Sequence, residues 1–120
     1  MNKRTVVIGA SSNPSRYAYK AVIALSDEGH EVYPIGIKNG QINGIDIIVD
    51  RPKIKYVHTV TIYLSKKNQA QEADYILSLK PKRIIFNPGA ENEALNQLAR
   101  EKKIITEQAC TLVLLRTTQY

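Results

Sequence analysis

Residues Thr5-Val6-Val7-Ile8-Gly9-Ala10 form an unbroken apolar run, and this constrains the fold more than any other stretch. An alternating pattern would mark a strand with one wet face. A continuous run rich in β-branched residues marks a strand covered on both faces, as in a parallel sheet sandwiched by helices. The run ends in Gly9-Ala10-Ser11-Ser12 and leads, through Asn13-Pro14-Ser15, into an amphipathic segment from Arg16 to Glu28. Strand, small-residue turn and helix start therefore follow in order. Such a turn can aim backbone N–H groups at an anion lying at the positive end of the helix dipole. Only the first glycine of a dinucleotide-binding G-x-G-x-x-G is present, so the turn alone is open to two readings: a nucleotide-phosphate site, or an ordinary tight connection.

The alternation continues. Ala18, Ala21, Val22 and Leu25 fall at helical spacing and Gly29 supplies the stop. Glu31 to Ile37 reads as a second strand, irregular at Pro34. Asn39 to Gly44 reads as a turn, Ile45 to Val49 as a short edge strand and Asp50-Arg51-Pro52 as a loop. His58 to Leu64 is the next strand, Gln69 to Leu79 a helix with Ala73, Ile76 and Leu77 on one face, and Arg83 to Phe86 another strand. Glu91 to Lys102 is a helix with Leu95, Leu98 and Ala99 inward, Ile104-Ile105 a short last strand, and Cys110 to Arg116 a closing helix. The fold class expected is α/β: one Rossmann-like, doubly wound domain over residues 1–120, with a mostly parallel sheet of about five strands. Ligands of such sheets bind beyond the carboxyl ends of the strands, which brings segments 9–16, 36–38, 63–66 and 87–92 to one crevice.

Lysine and arginine outnumber aspartate and glutamate by 17 to 11, a formal charge of +6 that favours anionic partners. The cations are spread along the chain without interleaved aromatics, which argues against nucleic acid and for a phosphorylated small molecule. No apolar run approaches the roughly 20 residues that span a bilayer, and Met1-Asn2-Lys3-Arg4 pass straight into a strand. With a single cysteine, Cys110, the expectation is a cytoplasmic chain without membrane contact. A protein partner or self-association stays open.

Lys38 follows the second strand, where an NAD-specific domain would place an acidic side chain on the ribose. A lysine there suits a phosphorylated ribose, as in coenzyme A or NADP, or is simply a solvated turn residue. Arg16 is likewise either a pyrophosphate ligand or a surface arginine. Asn87-Pro88-Gly89-Ala90-Glu91-Asn92-Glu93 makes a tight β-to-α connection on the same rim, with Gly89 permitting close approach. Tyr17 and Tyr19 cannot both face inward on one helix. His30 and His58 lack partners at metal-ligand spacing, so no metal site is expected and both read as strand-edge histidines. Ser11 and Ser12 do not form G-x-S-x-G, and Cys110 in its apolar segment reads as a packed, inert thiol. No nucleophile, base and orienting group assemble, so no catalytic residue is expected.

Three blocks, residues 7–16, Gly29-His30-Glu31-Val32-Tyr33-Pro34-Ile35, and residues 87–93, together resemble the small stand-alone CoA-binding domain proteins. Their Rossmann-like fold is similar to the CoA-binding domain of the succinyl-CoA synthetase alpha subunit. The resemblance implies a cofactor, coenzyme A or an acyl-CoA, bound by Gly9, Ala10, Ser11, Ser12, Pro14 and Arg16 around the pyrophosphate. It implies Lys38 near the ribose phosphate, Tyr63 and Leu64 beside the adenine or pantetheine, and Pro88 and Gly89 on the rim. The chain departs from that family in carrying Gly36-Ile37-Lys38 where Val-Asn-Pro is common, and Gln108-Ala109-Cys110 where Asp-Arg-Cys is common. The function expected is binding by an accessory or regulatory module without its own catalysis. The alternative is an NADP-binding sensor or oxidoreductase-like domain.

Overall fold

A computed structural model describes residues 2–120. In chain order its elements are β1 (Thr5–Ile8), α1 (Tyr17–Asp27), β2 (Val32–Ile35), β3 (Gln41–Ile42), β4 (Ile45–Asp46), β5 (Thr59–Ile62), α2 (Lys66–Gln69), α3 (Ala73–Ser78), β6 (Arg83–Phe86), α4 (Glu93–Glu101), β7 (Ile105–Gln108) and α5 (Thr111–Arg116). Five strands form one parallel sheet in the order β2-β1-β5-β6-β7. Every residue of β1, β5 and β6 is buried, as the continuous apolar runs require of strands covered on both faces.

The chain leaves β1 toward β2 on one side and returns to β5 on the other. Right-handed crossovers running in opposite directions put their helices on opposite faces. Val7 and Ile85 accordingly pack with Ala18, Val22 and Leu25 of α1 and Leu115 of α5. Val6, Ile8, Val60, Ile84 and Phe86 pack with Ile76 of α3 and Leu95 and Ala99 of α4. The reversal beside β1 opens a crevice at the carboxyl ends of the strands. Pro34 sits within β2 and is tolerated because β2 is an edge strand, with its carbonyl still accepting from Ile48 N at 2.8 Å.

The structure corrects three expectations. Residues 45–49 are not an edge strand of the main sheet: β3 and β4 pair with each other through an Asn43-Gly44 turn with φ of 51° and 85°, and only Ile48 bridges β2. An Asn-Gly turn with both residues at positive φ matches strand twist and so favours this local hairpin. The helix expected over 69–79 is confined to α3: Gln69 closes the separate α2 and residues 70–72 form a turn, at which Gln69 and Glu72 reach distant partners. Leu98 is 45% exposed, since α4 lies over the β7 edge of the sheet and nothing extends beyond it.

Candidate functional site

A cleft of about 770 Å3 lies at the carboxyl ends of β1, β2, β5 and β6, within the size range of small-molecule sites. Of the residues singled out in the sequence, Gly9, Ala10, Ser11, Ser12, Arg16, Lys38, Tyr63, Leu64, Pro88 and Gly89 line it. Pro14 is exposed and outside the lining; it shapes the approach to α1.

The turn after β1 divides its labour. Gly9 has φ of +94°, and a Cβ there would meet Leu64 Cδ2 at 3.0 Å, so glycine is required by backbone and neighbour alike. The N–H groups of Gly9 and Ala10 donate to Ile35 O, at 3.0 and 2.9 Å, and thus fasten the turn to β2. The available donors are the next ones. Among the described residues the N–H groups of Ser11 and Ser12 have no protein acceptor. Asn13 Oδ1 accepts from Ser15 N at 3.0 Å and Ser15 Oγ at 2.8 Å, which folds the turn into α1. Helix α1 begins without a side-chain cap and without an acid in its first turn, leaving its positive end for an anion.

Lys38 stands at the tip of a segment held against this turn. A Cβ at Gly36 would lie 2.6 Å from Ala10 O, and one at Gly40 3.1 Å from Ser12 Cβ. Both glycines permit this close approach of the segment to the turn. Ile37 is 83% exposed beside Lys38. Arg16 and Lys38 have no ion-pair partner among the described residues.

The cleft's third cation, Arg51, comes from the Asp50-Arg51-Pro52 segment read above only as a loop. Arg51 forms a two-point pair with Glu72, Nε to Oε1 and Nη2 to Oε2, each 2.8 Å. Its Nη1 donates to the carbonyls of Gly36, Val49 and Asp50. The bonds to Glu72 hold the guanidinium protonated even more firmly than usual. Gln69, fully buried, donates to Leu64 O at 2.8 Å and Ala90 O at 2.6 Å and so ties the two rims of the cleft together. Asn92 braces it through Nδ2 to Gln69 Oε1, at 3.0 Å, while capping α4 through Leu95 N.

Asn87 does not face the ligand space: it is buried and joins Thr61 to Thr111 below the cleft floor. The Tyr63 hydroxyl is buried without a hydrogen-bond partner among the described residues, and burial pushes its pKa well up, so it stays a neutral phenol. Tyr17 is 67% exposed while Tyr19 packs into the core, as one-sided helix geometry demands. His30 and His58 lie at the amino ends of the strands, beside Lys3 and Thr59, far from the cleft. Cys110, partly buried, precedes α5 outside the lining. Among the described residues no three His, Cys, Asp or Glu side chains gather into a metal site, and no helix is long and apolar enough to cross a membrane.

A family model described as a CoA binding domain matches residues 3–116. A solved structure described as an uncharacterized protein shares 47% identity over 100% of this chain and 99% of its own, with a TM-score of 0.97. A Thermus thermophilus protein, 18% identical over 98% of this chain and 90% of its own, superposes with a TM-score of 0.84. A Pyrococcus furiosus conserved hypothetical protein, 23% identical over 88% of this chain and 91% of its own, gives 0.75. Both of these attest to the fold. A search of curated proteins finds no match.

Proposed function

We propose that this chain, which belongs to the CoA binding domain family, binds coenzyme A or an acyl-CoA in the cleft beside β1 without transforming it. The observation that carries this reading is the pairing of an uncapped α1 N-terminus and free Ser11 and Ser12 N–H groups with two unpaired cations, Arg16 and Lys38, on one cleft. Backbone donors at a helix N-terminus suit a pyrophosphate, and Arg16 adds a charge-assisted contact. Lys38 is assigned to the ribose phosphate, with Tyr63, Leu64, Pro88 and Gly89 bordering the remainder of the ligand. The absence of chemistry is proposed from the lining. It holds no histidine or cysteine, and its single carboxylate, Glu72, is taken up by Arg51.

Calorimetry with CoA, dephospho-CoA, NADP and NAD on the wild type and Lys38→Gln tests this. CoA should bind most tightly. A charge-assisted phosphate contact contributes on the order of 1.5–3 kcal/mol, so dephospho-CoA should bind about ten- to a hundredfold more weakly, and Lys38→Gln should shrink that gap. NADP also carries a ribose phosphate that Lys38 could meet; tighter binding of NADP than of CoA would transfer the site to the nicotinamide cofactor.

A further inference from the structure

We infer that Arg51 is a positioning residue which, through Glu72, sets how strongly this cleft distinguishes a phosphorylated from an unphosphorylated adenosine ribose. The inference rests on the CoA reading above and adds to it a residue that acts by placing the Lys38 arm.

An arginine lining an anion-binding cleft invites assignment as a phosphate ligand. The geometry assigns Arg51 otherwise. Nε and Nη2 are spent on the two oxygens of Glu72, both at 2.8 Å, and Nη1 is shared among the carbonyls of Gly36, Val49 and Asp50 at 3.3, 2.8 and 3.1 Å. Every nitrogen of the fork already has an acceptor, and Glu72 is only 8% exposed. One Nη2 hydrogen alone is left over, so a phosphate could take both arms of the fork only by breaking this set, which would strand a buried carboxylate at considerable cost.

What the set holds is the arm that carries Lys38. The segment leaves β2 at Gly36 and returns at Ile48, where Ile47 N meets Gly40 O at 2.8 Å and Gly36 N meets Ile48 O at 3.0 Å. It rests on the first turn at Gly36 and Gly40, whose missing side chains let it touch Ala10 and Ser12. Those contacts fix the base of the arm against β1. Arg51 fixes it against the opposite wall, because Glu72 begins α3 on the far side of the cleft. One ion pair therefore spans the two walls, and the distance from Lys38 to the Ser11 and Ser12 donors depends on it. A bidentate guanidinium–carboxylate pair is directional, which makes it suited to fixing a spacing.

The test is the ratio of Kd for dephospho-CoA to Kd for CoA, measured by calorimetry on the whole chain. Arg51→Met should lower that ratio about three- to tenfold, a coupling of the size seen for residues that act on a site without contacting its ligand, while Kd for dephospho-CoA moves less than about twofold. The charge-swapped double variant, Arg51→Glu with Glu72→Arg, should recover part of the ratio. If Arg51→Met does not fold, Glu72→Gln serves, since it keeps size and shape and removes the charge; its ratio should fall in the same sense. A wild-type ratio in the variant that folds overturns the inference and leaves the CoA reading standing. So does a uniform weakening of both ligands, which would show general damage. A wild type that binds neither ligand overturns the CoA reading and this inference with it.

Discussion

Asn87 and Thr111, 24 residues apart, join the last helix to the centre of the sheet: Asn87 Oδ1 accepts from Thr111 N at 2.9 Å at the start of α5. The same amide donates to Thr61 Oγ1 at 2.6 Å and Ile62 O at 2.9 Å, and the two threonine hydroxyls meet at 2.7 Å. All three side chains are buried. Asn87→Ala leaves the Thr111 N–H unmatched away from water and takes one of their two partners from Thr61 Oγ1 and Ile62 O, so it should cost roughly 1–3 kcal/mol. Urea unfolding should show a lower midpoint with an unchanged slope. A loss below about 0.5 kcal/mol would mean that water replaces the amide.

Gly36→Ala should be harmful and Gly40→Ala mild. The added methyl at Gly36 would lie 2.6 Å from Ala10 O and 2.9 Å from Ile47 Cγ2, whereas at Gly40 the nearest atom is Ser12 Cβ at 3.1 Å. Overpacking of the first kind costs typically about 1–3 kcal/mol. It also lifts the Lys38 arm from the turn, so Gly36→Ala should lose CoA affinity as well as thermal stability. Melting curves and CoA titrations of both variants check the order.

Stability should fall on mild acidification because of two histidines remote from the cleft. His30 Nδ1 accepts from Lys3 N at 2.9 Å, and His58 Nδ1 lies 2.8 Å from Thr59 Oγ1, which also accepts from Arg83 Nε. Both imidazoles are held below their ordinary 6.5, first by burial and then by the charges of Lys3 and Arg83, with Lys82 adding at His58 and Glu28 opposing at His30. The unfolded chain thus takes up protons at a pH where the native one does not. The contribution is complete above 6.5 and is lost as pH falls from there through the lower native values. Urea unfolding at about pH 7.5 and about pH 5.5 should show the drop, and a His30→Gln, His58→Gln double variant should flatten it. An undiminished slope in that variant assigns the effect to other groups.

On α4, Leu95→Ala should cost about 2–4 kcal/mol while Leu98→Ala stays within about 0.5 kcal/mol. Leu95 is 2% exposed and Leu98 45%. Equal losses, read from denaturant midpoints, would show that something covers Leu98 in solution.

What the sequence alone determined was local. The β-branched run of β1, the small-residue turn that follows and the helical spacing of Ala18, Ala21, Val22 and Leu25 carry their meaning within a dozen residues, and each takes the form that its neighbours dictate. With them came the parallel sheet, the crevice beside β1 and the chain segments that border it, though not Arg51 and Glu72, since strand–helix alternation leaves few topologies. Tertiary structure decided which polar side chains turn inward. Gln69 and Glu72 have the composition of a solvated helix start, yet they are buried because Leu64, Ala90 and Arg51 wait for them. Arg51 and Glu72 stand 21 residues apart, Asn87 and Thr111 24, and a pair at that separation leaves no period in the chain. The burial of Leu95 beside the exposure of Leu98 has the same origin, for a helix pattern marks an apolar face without stating where the sheet beneath it ends.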